Sequence, residues 1–241
     1  MMIKRIPTAV LFLVFFPFFV SCAARVSGSL LADGQADMNI SASLEPRMTM
    51  LITGLAAASG TVQPGAALLS GPSISASMSA APGVASVSLV NTTPSAIEGP
   101  VKISQLGDFL AHGNANDFFS FEQSSAEKNG RCAIDFNLAS GPEILSLISP
   151  EINDYLDALM APIATGEELT KTEYLTVVGS VYGRGIADEI SQAIIHVSID
   201  FPGLVQSARG GTFSGRKAEF NIPLLDLLVL EAPFRYEVTW R

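Results

Sequence analysis

The chain has 241 residues, 48% of them hydrophobic, with a formal net charge of −9 and two cysteines. Such an acidic balance excludes nucleic-acid binding, which needs a basic footprint on the phosphate backbone. Two cysteines exclude a multiply stapled mini-domain, so stability must come from an apolar core, and the length is ample for one.

The first segment is a leader. Met1 to Arg5 carries Lys4 and Arg5 and no acid, and Ile6 to Val20 is almost wholly apolar. That run is short of the roughly 20 residues needed to cross a bilayer, but suits a secretory signal. Ser21 and Cys22 end it, and the chain then turns polar at Arg25, Ser27 and Asp33. The stretch Phe19-Val20-Ser21-Cys22 resembles the lipobox of bacterial lipoproteins, with Phe19 in the place usually held by Leu, as in relaxed spirochaetal forms. The resemblance implies cleavage between Ser21 and Cys22, removal of residues 1–21, and acylation of Cys22 as the new N terminus. One acyl chain holds only marginally, at about 0.8 kcal/mol per buried methylene, whereas two or three anchor stably. Ala23 stands where Asp retains many lipoproteins at the inner membrane, which favours the outer membrane. Losing Lys4 and Arg5 takes the net charge from −9 to −11. An ordinary secretory signal is the alternative.

The folded part opens with strand signals. Val26 to Ala32 is apolar-rich, Asp33-Gly34 marks a hairpin turn, and Gln35 to Leu44 alternates, with Ala36, Met38, Ile40, Ala42 and Leu44 on one face. Pro46 suits the first turn of a helix, and Met48, Leu51, Ile52 and Leu55 carry its apolar stripe to about Ser59. Gly60 to Gly71 reads as loop, Pro72 to Ala81 as a weaker helix, and Val84 to Val90 and Ile97 to Ile103 as paired strands. A short helix is expected near Gln105 to Ala111, then strands over Asp117 to Gln123 and around Cys132, whose alternation groups Cys132 with Ile134, Phe136 and Leu138. With Cys22 acylated, Cys132 has no partner and reads as a small buried hydrophobe.

The period then switches. Pro142 to Ile148 is expected to be helical, Ser149 to cap a second helix with Pro150 at its first position, and Thr170 to Glu173 to form a capping box for a third, closed near Gly183. Ile186 to Ile190 adds about one turn. Strands return with Ile195, Val197, Ile199 and Phe201, with Ala218, Phe220 and Ile222, and with Phe234, Tyr236, Val238 and Trp240. Leu224 to Leu230 lies between them and must be buried. Strands on both sides of a helical block near 142–190 indicate an α+β fold. Its mostly antiparallel sheet brings distant segments together, with helices packed on one face. Residues 26–241 read as one domain, divisible near 139/140, with 22–32 holding the acylated cysteine and the start of the first strand.

Chemistry is sparse. His112 and His196 have no second histidine at helical spacing, so no metal site is expected. Ser125-Ala126-Glu127-Lys128 and Ser214-Gly215-Arg216-Lys217 both match S-x-x-K, which shows how cheap that pattern is. Asp154 and Asp157 share a helix face opposite the apolar stripe and read as solvated. The surplus is apolar: Tyr155, Leu159, Met160, Tyr174, Tyr182 and Leu228 are expected either to line a groove between helices and sheet or to belong to a plain core. The expected function is therefore non-enzymatic binding or structural interaction at the cell envelope, without cofactor beyond the lipid on Cys22. Expected partners are the membrane through that anchor, and an envelope protein or apolar ligand. Carriage of a lipid in the groove is one alternative, and an envelope hydrolase with an unrecognised site another.

Overall fold

The computed structural model describes residues 22–59, 67–111, 118–125, 128–146 and 150–241. The fold is α+β, built on two sheets. The larger runs β10-β11-β8-β1-β2-β5-β3, with β4 also paired to β5, and the smaller runs β6-β7-β12-β9. In chain order the strands are β1 (Cys22–Leu30), β2 (Ala36–Ser43), β3 (Val84–Val87), β4 (Val90–Thr93), β5 (Ala96–Ile103), β6 (Phe119–Glu122), β7 (Gly130–Phe136), β8 (Ile194–Asp200), β9 (Val205–Arg209), β10 (Thr212–Ser214), β11 (Lys217–Pro223) and β12 (Phe234–Trp240). Among the described residues every pairing is antiparallel except that of β1 with β8.

The β1–β2 hairpin forms as its sequence dictates. Gly34 takes φ +83 in the turn, a conformation that costs glycine nothing, and Leu30 pairs with Ala36. Period-two alternation sends Leu30, Ala36 and Met38 inward, while Asp37 and Asn39 stay exposed. The expected single strand over 84–90 is broken instead into β3 and β4. The Ser88 N–H still donates to the Pro100 carbonyl of β5 at 3.0 Å, but the Leu89 N–H leaves the ladder for Ser75 Oγ at 2.8 Å and Leu89 turns into the core. The expectation of one sheet is also corrected: β6, β7, β9 and β12 form a second sheet. Each sheet has one apolar face, and stacking the two buries both.

The helices are α1 (Pro46–Ser59), α2 (Gly71–Ser79), α3 (Leu106–Ala111), α4 (Gly141–Ser146), α5 (Pro150–Ala158), α6 (Pro162–Thr165), α7 (Lys171–Tyr182), α8 (Arg184–Gln192) and α9 (Leu224–Val229). The capping box opening α7 is complete: Thr170 Oγ1 accepts the Glu173 N–H at 3.2 Å, and Glu173 Oε2 accepts the Thr170 N–H at 2.9 Å. The Ser149 cap lies outside the described residues. Where one turn was expected after Gly183, α8 runs nine residues, with Ile186 and Ile190 buried on one face, and its Glu189 reaches α1. Its carboxylate accepts the N–H groups of Arg47 and Met48 at 3.1 and 2.9 Å, capping the start of α1. Met48 and Ile52 of α1 pack with Tyr174, Val178, Ile186, Ile190, Leu228 and Val229 in one buried cluster.

Candidate functional site

Between the apolar faces of the two sheets lies a cavity of about 300 Å³. The large sheet supplies Leu30, Ala36, Met38, Ile103, Val197, Ile199, Phe220 and Ile222, and the small sheet Phe119, Cys132, Ile134, Tyr236 and Val238. Helix α3 closes one side with Leu106, Phe109 and Leu110. Gly28 sits on the same inward face, and a Cβ there would stand 2.1 Å from the Asp37 carbonyl and 2.8 Å from Met38 Sδ. The absent side chain lets β2 and the Met38 thioether lie close over β1.

The wall is apolar. Glu237 also borders the cavity, yet its carboxylate is bound on the opposite face of the small sheet, to Arg131 Nη2 at 3.1 Å and to Arg235 Nε at 2.8 Å. Those contacts, Arg131 first, hold the Glu237 carboxyl below the usual range against the opposing effect of burial. Asp135 completes that outer ladder, accepting from Arg235 Nη1 at 2.8 and 3.0 Å. The Cys132 side chain and Tyr236 also belong to the wall, which presents no polar surface to the cavity. Burial pushes the thiol up to about 12, so it is an inert wall group and no nucleophile. Burial also raises the Tyr236 phenol, with the charge of Asp226 adding to it. Such a wall offers no partner to a charged group and suits hydrocarbon, so it is the chain of an amphiphile that fits between the sheets.

The residues expected to line a groove lie elsewhere. Leu159, Tyr174 and Leu228 are buried in the helical cluster, and Tyr155 and Tyr182 pack against it half-buried. Their hydroxyls are spent on backbone: Tyr155 donates to the Leu68 carbonyl, Tyr182 to the Ala158 carbonyl, and Tyr174 to the Leu159 carbonyl at 3.3 Å. Met160 sits at φ 52 in the turn after α5. None of the six borders the cavity between the sheets. Sequence reasoning overlooked that cavity although its signal was present, in the small residues Gly28 and Ala36 among large apolar ones on inward strand faces.

Other candidates assemble no chemistry. His196 Nδ1 lies 2.9 Å from Asn221 Oδ1 on the outer face of the large sheet, and His112 lies outside the described residues. Among the described residues no group of three metal-ligating side chains converges. Asp154 and Asp157 are exposed. Ser214 pairs with Lys217 across the β10–β11 turn, and Ser125 Oγ accepts the Lys128 N–H at 3.1 Å within a turn, so both S-x-x-K matches are local turn chemistry.

What the fold and cavity define is a two-sheet α+β domain with an apolar interior space. No known protein family matches the chain, and no curated protein matches it. Among solved structures it is similar to the NMR structure of the folded domain of the Mycobacterium tuberculosis LppM protein. Identity is 13% over 93% of this chain and 92% of that chain, with a TM-score of 0.37.

Proposed function

We propose that this is a bacterial lipoprotein, held outside the cytoplasm by acyl chains on Cys22, whose domain binds an apolar ligand between its two sheets without catalysing a reaction. The outer membrane is the favoured site, on the strength of Ala23. The carrying observation is the cavity of about 300 Å³ with an apolar wall. An engineered apolar cavity of roughly 150 Å³ takes one benzene, so this one has room for about twelve carbons. At about 0.8 kcal/mol per methylene, filling it contributes close to 10 kcal/mol before the cost of association, about 4 kcal/mol or more. The remainder corresponds to an affinity between millimolar and micromolar, which suits a carrier that must also release. This reading narrows the expected binding role to a single hydrocarbon chain or a molecule of similar bulk.

Two measurements test it. Native mass spectrometry of the gently purified protein is expected to show a co-purified apolar molecule, and dodecanoate is expected to displace a fluorescent fatty acid. A protein that is empty as isolated and binds no fatty acid up to millimolar concentration overturns the ligand. Intact mass of the mature N terminus tests the anchor: Cys22→Ala is expected to leave membrane fractions, and an unmodified Cys22 on a membrane-bound protein overturns it.

A further inference from the structure

We infer that the domain lies directly on the bilayer that holds its anchor, and that the surface made by the start of α1 and the α7–α8 corner is the part that enters the lipid. This rests on acylation of Cys22. Strand β1 opens at Cys22 itself, whose backbone is in register with Ile194 of β8. No spacer therefore separates the acylated residue from a hydrogen-bonded strand. A flexible linker of n residues spans roughly 5–6 Å × √n, and here n is zero, so the headgroups must meet the protein at this end of the large sheet.

Several elements converge there. Ala24 pairs with Ala42 near the end of β2, and Pro223 at the end of β11 pairs with Ile194. Helix α8 ends at Gln192, two residues before Ile194, and runs back about 12 Å to Arg184. Glu189 and Gly185 of α8 hold α1, the former capping it and the latter accepting from Arg47 Nη1 at 3.4 Å. Between α1 and the α7–α8 corner is an open hollow bordered by Arg47, Met50, Leu51, Tyr182 and Gly185. Met50 on its border is 66% exposed and Val181, next to Tyr182, is 56% exposed. Arg47 and Arg184 are exposed beside them.

Apolar side chains flanked by arginines match the boundary between acyl chains and phosphates. Met and Val enter the hydrocarbon while the guanidinium groups stay at headgroup depth. Asp188 is also exposed on α8, and the whole chain is acidic, so the contact is apolar in origin and the arginines act only at short range. Phe213, another exposed apolar residue at 48%, lies at the opposite end. It is in register with Ala218, then Ile199, then Gly28, six residues along β1 from Cys22 and about 20 Å away.

The test uses the full chain, acylated in cells and reconstituted in phosphatidylcholine–phosphatidylglycerol vesicles containing nitroxide-labelled lipid. An environment-sensitive fluorophore is placed through Met50→Cys, Val181→Cys or Phe213→Cys, each combined with Cys132→Val. Labels at 50 and 181 are expected to shift to the blue and be quenched by the nitroxide, and the label at 213 to do neither. If intact mass shows acyl chains on Cys22 while all three labels report water, this inference falls and the anchor stands. If the N terminus carries no acyl chain, both fall.

Discussion

Replacing Ala36 with leucine places three more carbons into the space between the sheets. Ala36 is 1% exposed and borders the cavity, so the isopropyl group added beyond Cβ has about 300 Å³ in which to find a rotamer. Three carbons buried at about 0.8 kcal/mol each stabilise the empty protein by about 2 kcal/mol, which raises Tm by about 4–8 °C for a chain of this size. In a close-packed interior the same change costs about 1–3 kcal/mol through forced rotamers and backbone shifts. The sign therefore reports whether the space exists. A ligand that loses three carbons of room loses a similar 2 kcal/mol, about thirtyfold in affinity. Thermal melts of delipidated protein and displacement of a fluorescent fatty acid read the two effects, with Val197→Phe as an independent second filling. A lowered Tm with unchanged fatty-acid affinity in both variants would refute the reasoning.

Three further outcomes are expected. Trp240→Ala should destabilise by about 3–5 kcal/mol, since the indole is 1% exposed, lies over Gly130 and packs on Phe201 with ring centroids 5.0 Å apart. Among the described residues its Nε1–H has no acceptor, so Trp240→Phe should cost clearly less, and denaturant midpoints of the pair check this. At alkaline pH the unfolded Cys132 thiol ionises near 9 while the folded one resists to about 12, so the native state binds the extra proton. The thiol alone should lower stability by about 1.4 kcal/mol per pH unit across that window, and burial of the Tyr174 and Tyr236 phenols adds to the fall above about pH 10, so Cys132→Val should flatten pH-dependent unfolding curves most clearly between about pH 9 and 10. At the acid end Glu237 is held low by Arg131 and then Arg235. Its contribution is present above about pH 4.5 and disappears as pH falls through the folded value. Arg131→Ala should flatten that acid limb by about 1 kcal/mol or less, and an unchanged limb would assign the acid sensitivity elsewhere.

The local elements were legible where a short-range rule operates. Period two exposed β2 and β12, and Thr170 with Glu173 announced α7, because each signal lies within a few residues of its effect. Strands β9 and β10 were missed because Val205–Arg209 and Thr212–Ser214 are short and polar, though Gly210-Gly211 between them is a recognisable turn. The division into two sheets was not legible, since alternation tells which residues of a strand face inward but not which strand lies opposite. The cavity was misplaced for the same reason. An apolar surplus in the helices drew attention to tyrosines whose rings are core and whose hydroxyls are already bound to carbonyls. The actual space lies between Ala36 and Cys132, which border it from opposite sheets and stand nearly a hundred positions apart in the chain.

The order of the strands also bears on how the chain matures. Strand β1, the first described strand, lies in the middle of the large sheet with β8 as its parallel neighbour, and β12, the last, lies in the middle of the small one between β7 and β9. The large sheet cannot close until β11 is available, nor the small one until β12 is. A chain made N terminus first would therefore leave both sheets unfinished until most of its length was free, which defers burial of the space between them to a late stage of folding.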